Sequence, residues 1–262
     1  MTVADILKYI EELAPRYMKM DGDNVGLLCG DHRREVKTIL VALDPFESVC
    51  REAAELGADL IVTHHPLIFF APKNITDTTP MGRSITTLIQ NGISAINAHT
   101  NLDCAPGGVN DCLAQALGLK NVEIINPSGV MEDGTPWGLL RGGETQEQSL
   151  DSFLDFVKEA LGCSGLKYAE GNRPVHKVAV GGGCCGEFLQ TVAEAGYDTF
   201  VTADLKYNQF QDAVDFGVNL IDAGHFATEN PVCVYLAEKL RERFPEIRVI
   251  LSPKHRDCVK FR

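Results

Sequence analysis

Two adjacent histidines, His64 and His65, stand where the apolar run Leu60–Ile61–Val62 ends at Thr63 and Pro66 follows. Proline stops a strand, so both imidazoles fall where the backbone leaves a sheet, and in α/β proteins that carboxyl end is where ligands bind. The apolar run 93–98 is likewise followed by His99-x-x-x-Asp103, and the run 218–223 by His225-x-x-x-Glu229. Imidazole and carboxylate donors suit Zn²⁺, Fe²⁺, Mn²⁺ or Ni²⁺, and no thiolate joins the set to favour a structural zinc. The five groups His64, His65, Asp103, His225 and Glu229 exceed one open catalytic site. They suit two metals about 3.5–4 Å apart with a bridging carboxylate. Glu229, expected at the start of a helix, has the position for that bridge and for the positive end of the dipole. Singly, each residue has a plainer reading: a strand-end histidine is more often hydrogen-bonded at the surface, and Asp103 and Glu229 could cap the helices after them. Their joint placement after strand ends favours the metal.

The elements that must position them alternate. Strands are expected at 36–43, 59–63, 93–98, 177–180, 199–202, 218–223 and 248–251, with amphipathic helices between them, which predicts an α/β chain with mostly parallel sheets. Residues 126–148, rich in Gly, Pro, Asp and Thr, read as a connector between a first lobe, 1–125, and a second, 149–262. The lobes resemble each other. Residues 51–66 align with 190–205, matching Ala54, Glu55, Gly57, Asp59, Val62 and Thr63 to Ala193, Glu194, Gly196, Asp198, Val201 and Thr202. Duplication explains this best and predicts two related lobes facing a shared metal cleft. Ala203 and Asp204 take the places of His64 and His65, so the second lobe lacks that pair.

The net charge of −12 and pI near 5.0 argue against general binding to a phosphate backbone. The basic tail around Arg241, Arg243, Lys254, His255 and Arg256 reads as a solvated face. No run approaches a membrane span, and Met1–Tyr9 lacks a signal peptide's basic start and apolar core, which predicts a cytoplasmic protein. Nine cysteines with no C-x-x-C pair read as reduced core thiols. Gly181–Gly182–Gly183 matches neither phosphate-loop pattern and reads as a tight turn or a glycine floor to the cleft, with Asp44 at the equivalent strand end of the first lobe.

The motifs Asp23–Asn24–Val25–Gly26–Leu27, Thr63–His64–His65–Pro66, His99–Thr100–Asn101–Leu102–Asp103, Gly107–Gly108–Val109–Asn110 and His225–Phe226–Ala227–Thr228–Glu229 carry a resemblance over essentially the whole chain. It resembles the dinuclear-metal proteins known as type 2 GTP cyclohydrolase I homologues, relatives of the NGG-interacting factor. The resemblance implies a homo-oligomer, a toroidal hexamer built as a trimer of dimers, with two divalent metals per chain. It implies that His65 and Asp103 bind one metal, His64 and His225 the other, and Glu229 both. The chain departs from such proteins at Gly22, where members often have Trp, and at Asn208, near whose position many have His. Longer members insert an extra domain between the lobes, and the connector here is too short for a third domain.

Two function classes fit. One is a metal-dependent hydrolase acting on a small nucleotide-like substrate, with His99 as general acid/base or as an anchor to a ligand. The other is a non-catalytic metal-binding regulatory or scaffold hexamer. Turnover of a nucleotide and phosphoester panel by the metal-loaded protein separates them.

Overall fold

The computed structural model describes residues 1–262. The chain opens with α1 (Val3–Leu13), set by a capping box in which Thr2 N donates to Asp5 Oδ2 (2.8 Å) and Thr2 Oγ1 accepts from Asp5 N (3.3 Å). β1 (Gly26–Cys29), β2 (Thr38–Ala42), α2 (Glu47–Glu55) and β3 (Leu60–Thr63) follow. Then come α3 (Pro80–Gln90), with Thr79 as its cap and Pro80 in its first turn, β4 (Ser94–Asn97) and the five-residue α4 (Thr100–Cys104).

Beyond these lie α5 (Val109–Ala116), β5 (Lys120–Ile125), the short β6 (Gly129–Val130) and β7 (Pro136–Trp137), and β8 (Leu140–Gln148). α6 (Leu150–Leu161) is capped by Ser149 and ended by Gly162 at φ +63. β9 (Lys167–Ala169), β10 (Val175–Val180), α7 (Leu189–Glu194), β11 (Thr199–Thr202), α8 (Tyr207–Phe216) and β12 (Asn219–Asp222) lead to the five-residue α9 (His225–Glu229). α10 (Pro231–Arg243) and β13 (Arg248–Leu251) complete the chain. No helix is long and apolar enough to cross a membrane.

Two compact units result: Met1–Leu102 with Val232–Arg256, and Asp103–Pro231 with Asp257–Arg262. The first holds a five-stranded sheet in the order β1-β4-β3-β2-β13, parallel except at β1. The second holds a six-stranded sheet, β5-β8-β10-β11-β12-β9, in which only β10, β11 and β12 pair in parallel. The expected mostly parallel sheet therefore describes the first unit, while the second is mixed. Its antiparallel neighbours are not sequential: α6 and β9 lie between β8 and β10 in the chain, and β9 pairs with β12 from before β10 and β11.

The division expected at 126–148 is not where the contacts divide. β8 takes up the last part of that segment and pairs directly with β5 before it (Glu123↔Gly142, Ile125↔Leu140), and β6 and β7 form a hairpin between them. The end of the chain rejoins the first sheet, with Val249 opposite Ile39 and Leu251 opposite Val41. Pairing over such separations leaves no local pattern to read.

Within each unit, residues aligned by the sequence repeat hold the same register. Ile39 pairs with Leu60 and Val41 with Val62; Val178 pairs with Thr199 and Val180 with Val201. Next to them Leu60 pairs with Ser94, and Thr199 with Asn219. The central strands β10, β11 and β12 of the second sheet are buried on both faces. Val178, Val180, Val201 and Ile221 enter one apolar cluster, and the alternate residues Ala179, Phe200 and Leu220 enter another. β3 is equally enclosed: Leu60, Ile61 and Val62 are fully buried, and each such side chain stabilises the fold by roughly 1.5–3 kcal/mol. That rigidity fixes where the two histidines after it emerge.

Candidate metal centre

In the first unit three imidazoles converge. His64 and His65 leave β3, His99 leaves β4, and ring nitrogens of all three lie within 4.8 Å of one another. Each ring is held through Nδ1 by a protein acceptor. His64 Nδ1 donates to the Ala98 carbonyl (2.9 Å), His65 Nδ1 to Asp44 Oδ1 (2.6 Å), and His99 Nδ1 to Asp23 Oδ1 (2.9 Å). A carbonyl or carboxylate can only accept, so the proton sits on Nδ1 and Nε2 is the atom each ring offers a metal. His65 is set further by its backbone: its N donates to Leu43 O (2.9 Å), and its carbonyl accepts from Thr63 Oγ1 (2.8 Å).

The two acids are held as carboxylates. Burial opposes ionisation of Asp23, but hydrogen bonds from His99 and Thr100 outweigh it and keep its carboxyl well below the usual range. Burial likewise opposes ionisation of Asp44, and hydrogen bonds from His255 and His65 overcome it. His255 is thus buried against Asp44, with Nε2 donating to Oδ2 at 2.9 Å, and not part of the solvated basic face expected from the sequence. Asp44 and His65 also line a cavity of about 440 Å³, walled by Phe46, Pro66, Met81 and Ser84. That size suits a small organic molecule.

The second unit gathers Asp103 and His225 around Glu229, which is buried. His225 Nε2 lies 3.0 Å from Glu229 Oε2, and a carboxylate oxygen of Asp103 comes within 4.8 Å of one of Glu229. Glu229 closes α9, two residues before Pro231 starts α10, so it does not open a helix as expected. Asp103 belongs to α4, and its carbonyl accepts from Asn110 Nδ2 (3.1 Å), while Asn110 Oδ1 accepts from Gly182 N (2.7 Å). Fully buried Asn110 therefore ties Asp103 to the glycine loop.

That loop is a floor for Glu229. Gly183 has φ +64, and a Cβ placed on it would overlap Glu229 Oε1. The residue aligned with Gly183 in the first unit is Asp44, so the same strand end supplies an acid for His65 in one unit and a vacant Cβ position for Glu229 in the other. Asp204, aligned with His65, accepts from His225 Nδ1 at 2.7 Å. It does so at φ +53, a left-handed conformation that aspartate adopts more readily than most residues with a side chain.

The donor chemistry fits divalent metals: imidazoles fixed through Nδ1, buried carboxylates, and a cradle open only because glycine lacks a Cβ. Cys185 adds no thiolate, because burial first and then the nearby acids Asp103 and Glu229 raise its thiol well above the ordinary value.

A family model described as Duf34/NIF3 (NGG1p interacting factor 3) matches residues 1–257. The chain belongs to the Duf34/NIF3 family. A Clostridium perfringens relative named GTP cyclohydrolase 1 type 2 homolog is 38% identical over 264 residues, covering 100% of each chain. The crystal structure of a Bacillus cereus protein related to NIF3 matches with a TM-score of 0.94 at 26% identity, over 100% of this chain and 99% of that one. A Staphylococcus aureus hypothetical protein matches with a TM-score of 0.92 at 29% identity, over 100% and 99%.

The sequence marks His99 as an acid/base or an anchor, and its ring joins the His64–His65 group. Two further residues of this Duf34/NIF3 chain have no such signal. Asp204 and His255 carried no motif. The repeat could have found Asp204, since it stands where His65 stands in the first unit.

Proposed function

We propose that this Duf34/NIF3 protein binds two divalent cations per chain through His64, His65, Asp103, His225 and Glu229, and acts as a metal-dependent hydrolase on a nucleotide-like substrate. The observation that supports this best is the fixing of His64, His65 and His225 through Nδ1, which aims Nε2 of each ring at a metal. Bound metals would supply Lewis-acid chemistry for hydrolysis at neutral pH. The name of the Clostridium perfringens relative favours a GTP cyclohydrolase-type reaction.

The chain's own residues divide the remaining work. Glu229, buried and cradled by Gly183, would serve as a ligand to both cations. His99, held by Asp23, exchanges protons with substrate at Nε2 or adds a further ligand. The cavity beside His65 takes the organic part of the substrate; the anionic part stays outside it, because no lysine or arginine is among the lining residues. We further read the protein as a cytoplasmic homohexamer.

Metal analysis of protein purified without chelator tests the first claim, with two ions per chain expected and none or one overturning it. A nucleotide and phosphoester panel on that material tests the second; full metal occupancy without turnover would favour a regulatory or scaffold role. Sedimentation at micromolar concentration should give six chains, and a mass of 28.6 kDa would refute the hexamer.

A further inference from the structure

One carboxylate serves two imidazoles in the first unit. Asp44 Oδ1 accepts from His65 Nδ1 at 2.6 Å, and Asp44 Oδ2 accepts from His255 Nε2 at 2.9 Å. All three side chains are largely enclosed, His255 most of all at 6% exposure. A carboxylate held through one oxygen can still turn about its Cβ–Cγ bond. Held through both, its plane is fixed, and so is the direction in which Oδ1 receives His65.

His255 has no strand or helix to hold it, yet its place is built. Ser252 N donates to Val41 O (2.8 Å), extending the β13–β2 ladder by one bond. Ser252 Oγ then donates to Glu52 Oε2 (2.5 Å) and accepts from His255 N (3.0 Å). The edge of the Phe46 ring closes on the imidazole, with centroids 5.8 Å apart and planes at 74°. An apolar side chain would fill this space as well. A histidine with its Nε2 on a carboxylate has a directional role.

We propose that His255 is a positioning residue for His65: through Asp44 it fixes the orientation and tautomer of the His65 ring and so strengthens cation binding at His65 Nε2. This rests on the reading of His65 as a metal ligand. Loss of a hydrogen-bond partner behind a ligating histidine typically weakens a metal about 10–100-fold. His255 acts one residue further back, so the lower end, about tenfold, is expected.

The experiment uses the full chain with zinc as probe. Zinc affinity of both sites is measured by chelator competition for the wild type, His255→Leu and His255→Gln. The apo proteins are compared by melting temperature and by nitrogen NMR of the His65 ring. His255→Leu keeps the volume and removes the donor; it should weaken one zinc about tenfold, leave the other unchanged and blur the Nδ1–H signature of His65. His255→Gln, whose amide nitrogen can reach Asp44, should restore both readouts. The proposal is overturned if His255→Leu matches the wild type, or if both variants lose affinity alike in step with melting temperature. A wild type that binds no zinc overturns the metal reading itself and this inference with it, an outcome distinct from normal wild-type binding with an unaffected variant.

Discussion

Asp59 and Asp198 perform the same task in different units. Asp59 Oδ2 accepts from Lys37 N (2.9 Å) and Thr38 N (3.1 Å) at the head of β2. Asp198 accepts from His176 N (3.1 Å) and Lys177 N (2.6 Å) within β10. Their own backbones match too: Asp59 N donates to Thr38 O and Asp198 N to Lys177 O, while Ser94 N donates to Asp59 O and Asn219 N to Asp198 O. Each aspartate therefore ties three parallel strands together where they begin, at the end opposite the candidate ligands.

Asp198 is the more buried of the two, so the two amides that its loss strands are less open to water than the two behind Asp59. Asp198→Ala should destabilise the protein by about 1–3 kcal/mol, and Asp59→Ala by less, because water can reach its partners. Urea unfolding followed by signals from each unit measures both; equal effects would deny the role of burial.

Gly183→Ala should be costly for two reasons, a left-handed φ of +64 and overlap with Glu229 Oε1. Gly134→Ala is the control, since Gly134 has φ +88 but no neighbour near its Cβ position. Gly134→Ala should lose only the backbone strain of a side chain at positive φ, about 1–2 kcal/mol. Gly183→Ala should lose more and also weaken metal binding, as read by melting temperature with and without zinc. Equal losses would mean that the floor beneath Glu229 is not tight.

Stability should fall at alkaline pH through buried thiols. Burial raises Cys50 to about 11 and Cys104 to about 12. In the unfolded chain both ionise near pH 8.5, so the stabilisation is full below that pH and is lost as pH rises through the folded values. The Cys50→Ala, Cys104→Ala double variant should lose less stability between pH 8 and pH 10.5 than the wild type. At pH 8 alkylation should reach the exposed Cys184 and Cys258 first. A parallel decline in the double variant would assign the effect to other groups.

Removing metal should lower the melting temperature, because cation binds the folded state in preference to the unfolded chain. At free zinc of 100 times Kd, one site should add about 2.7 kcal/mol. Glu229→Gln should abolish most of that gain at both sites, since a neutral amide cannot bridge two cations. His64→Ala should remove one site's share. Calorimetry with and without zinc checks each, and a Glu229→Gln protein that keeps the full gain would exclude the bridge.

The sequence alone determined the strand ends and the repeat. Leu60–Ile61–Val62 followed by His64–His65–Pro66 can be read locally, because apolar periodicity and proline act over a few residues. The alignment of residues 51–66 with 190–205 foretold a shared strand register for the same reason, since each βαβ unit is a local fold. Only the tertiary structure decided what lies behind the histidines. Asp23 reaches His99 across 76 residues and Asp44 reaches His255 across 211, and no periodicity spans such distances. It also decided that β13 returns to the first sheet and that β8, from the end of the Gly- and Pro-rich segment, pairs with β5 before it. Edge pairing is chosen by which strand edges remain open once the units have formed. That is a property of the packed chain, and no single stretch of sequence carries it.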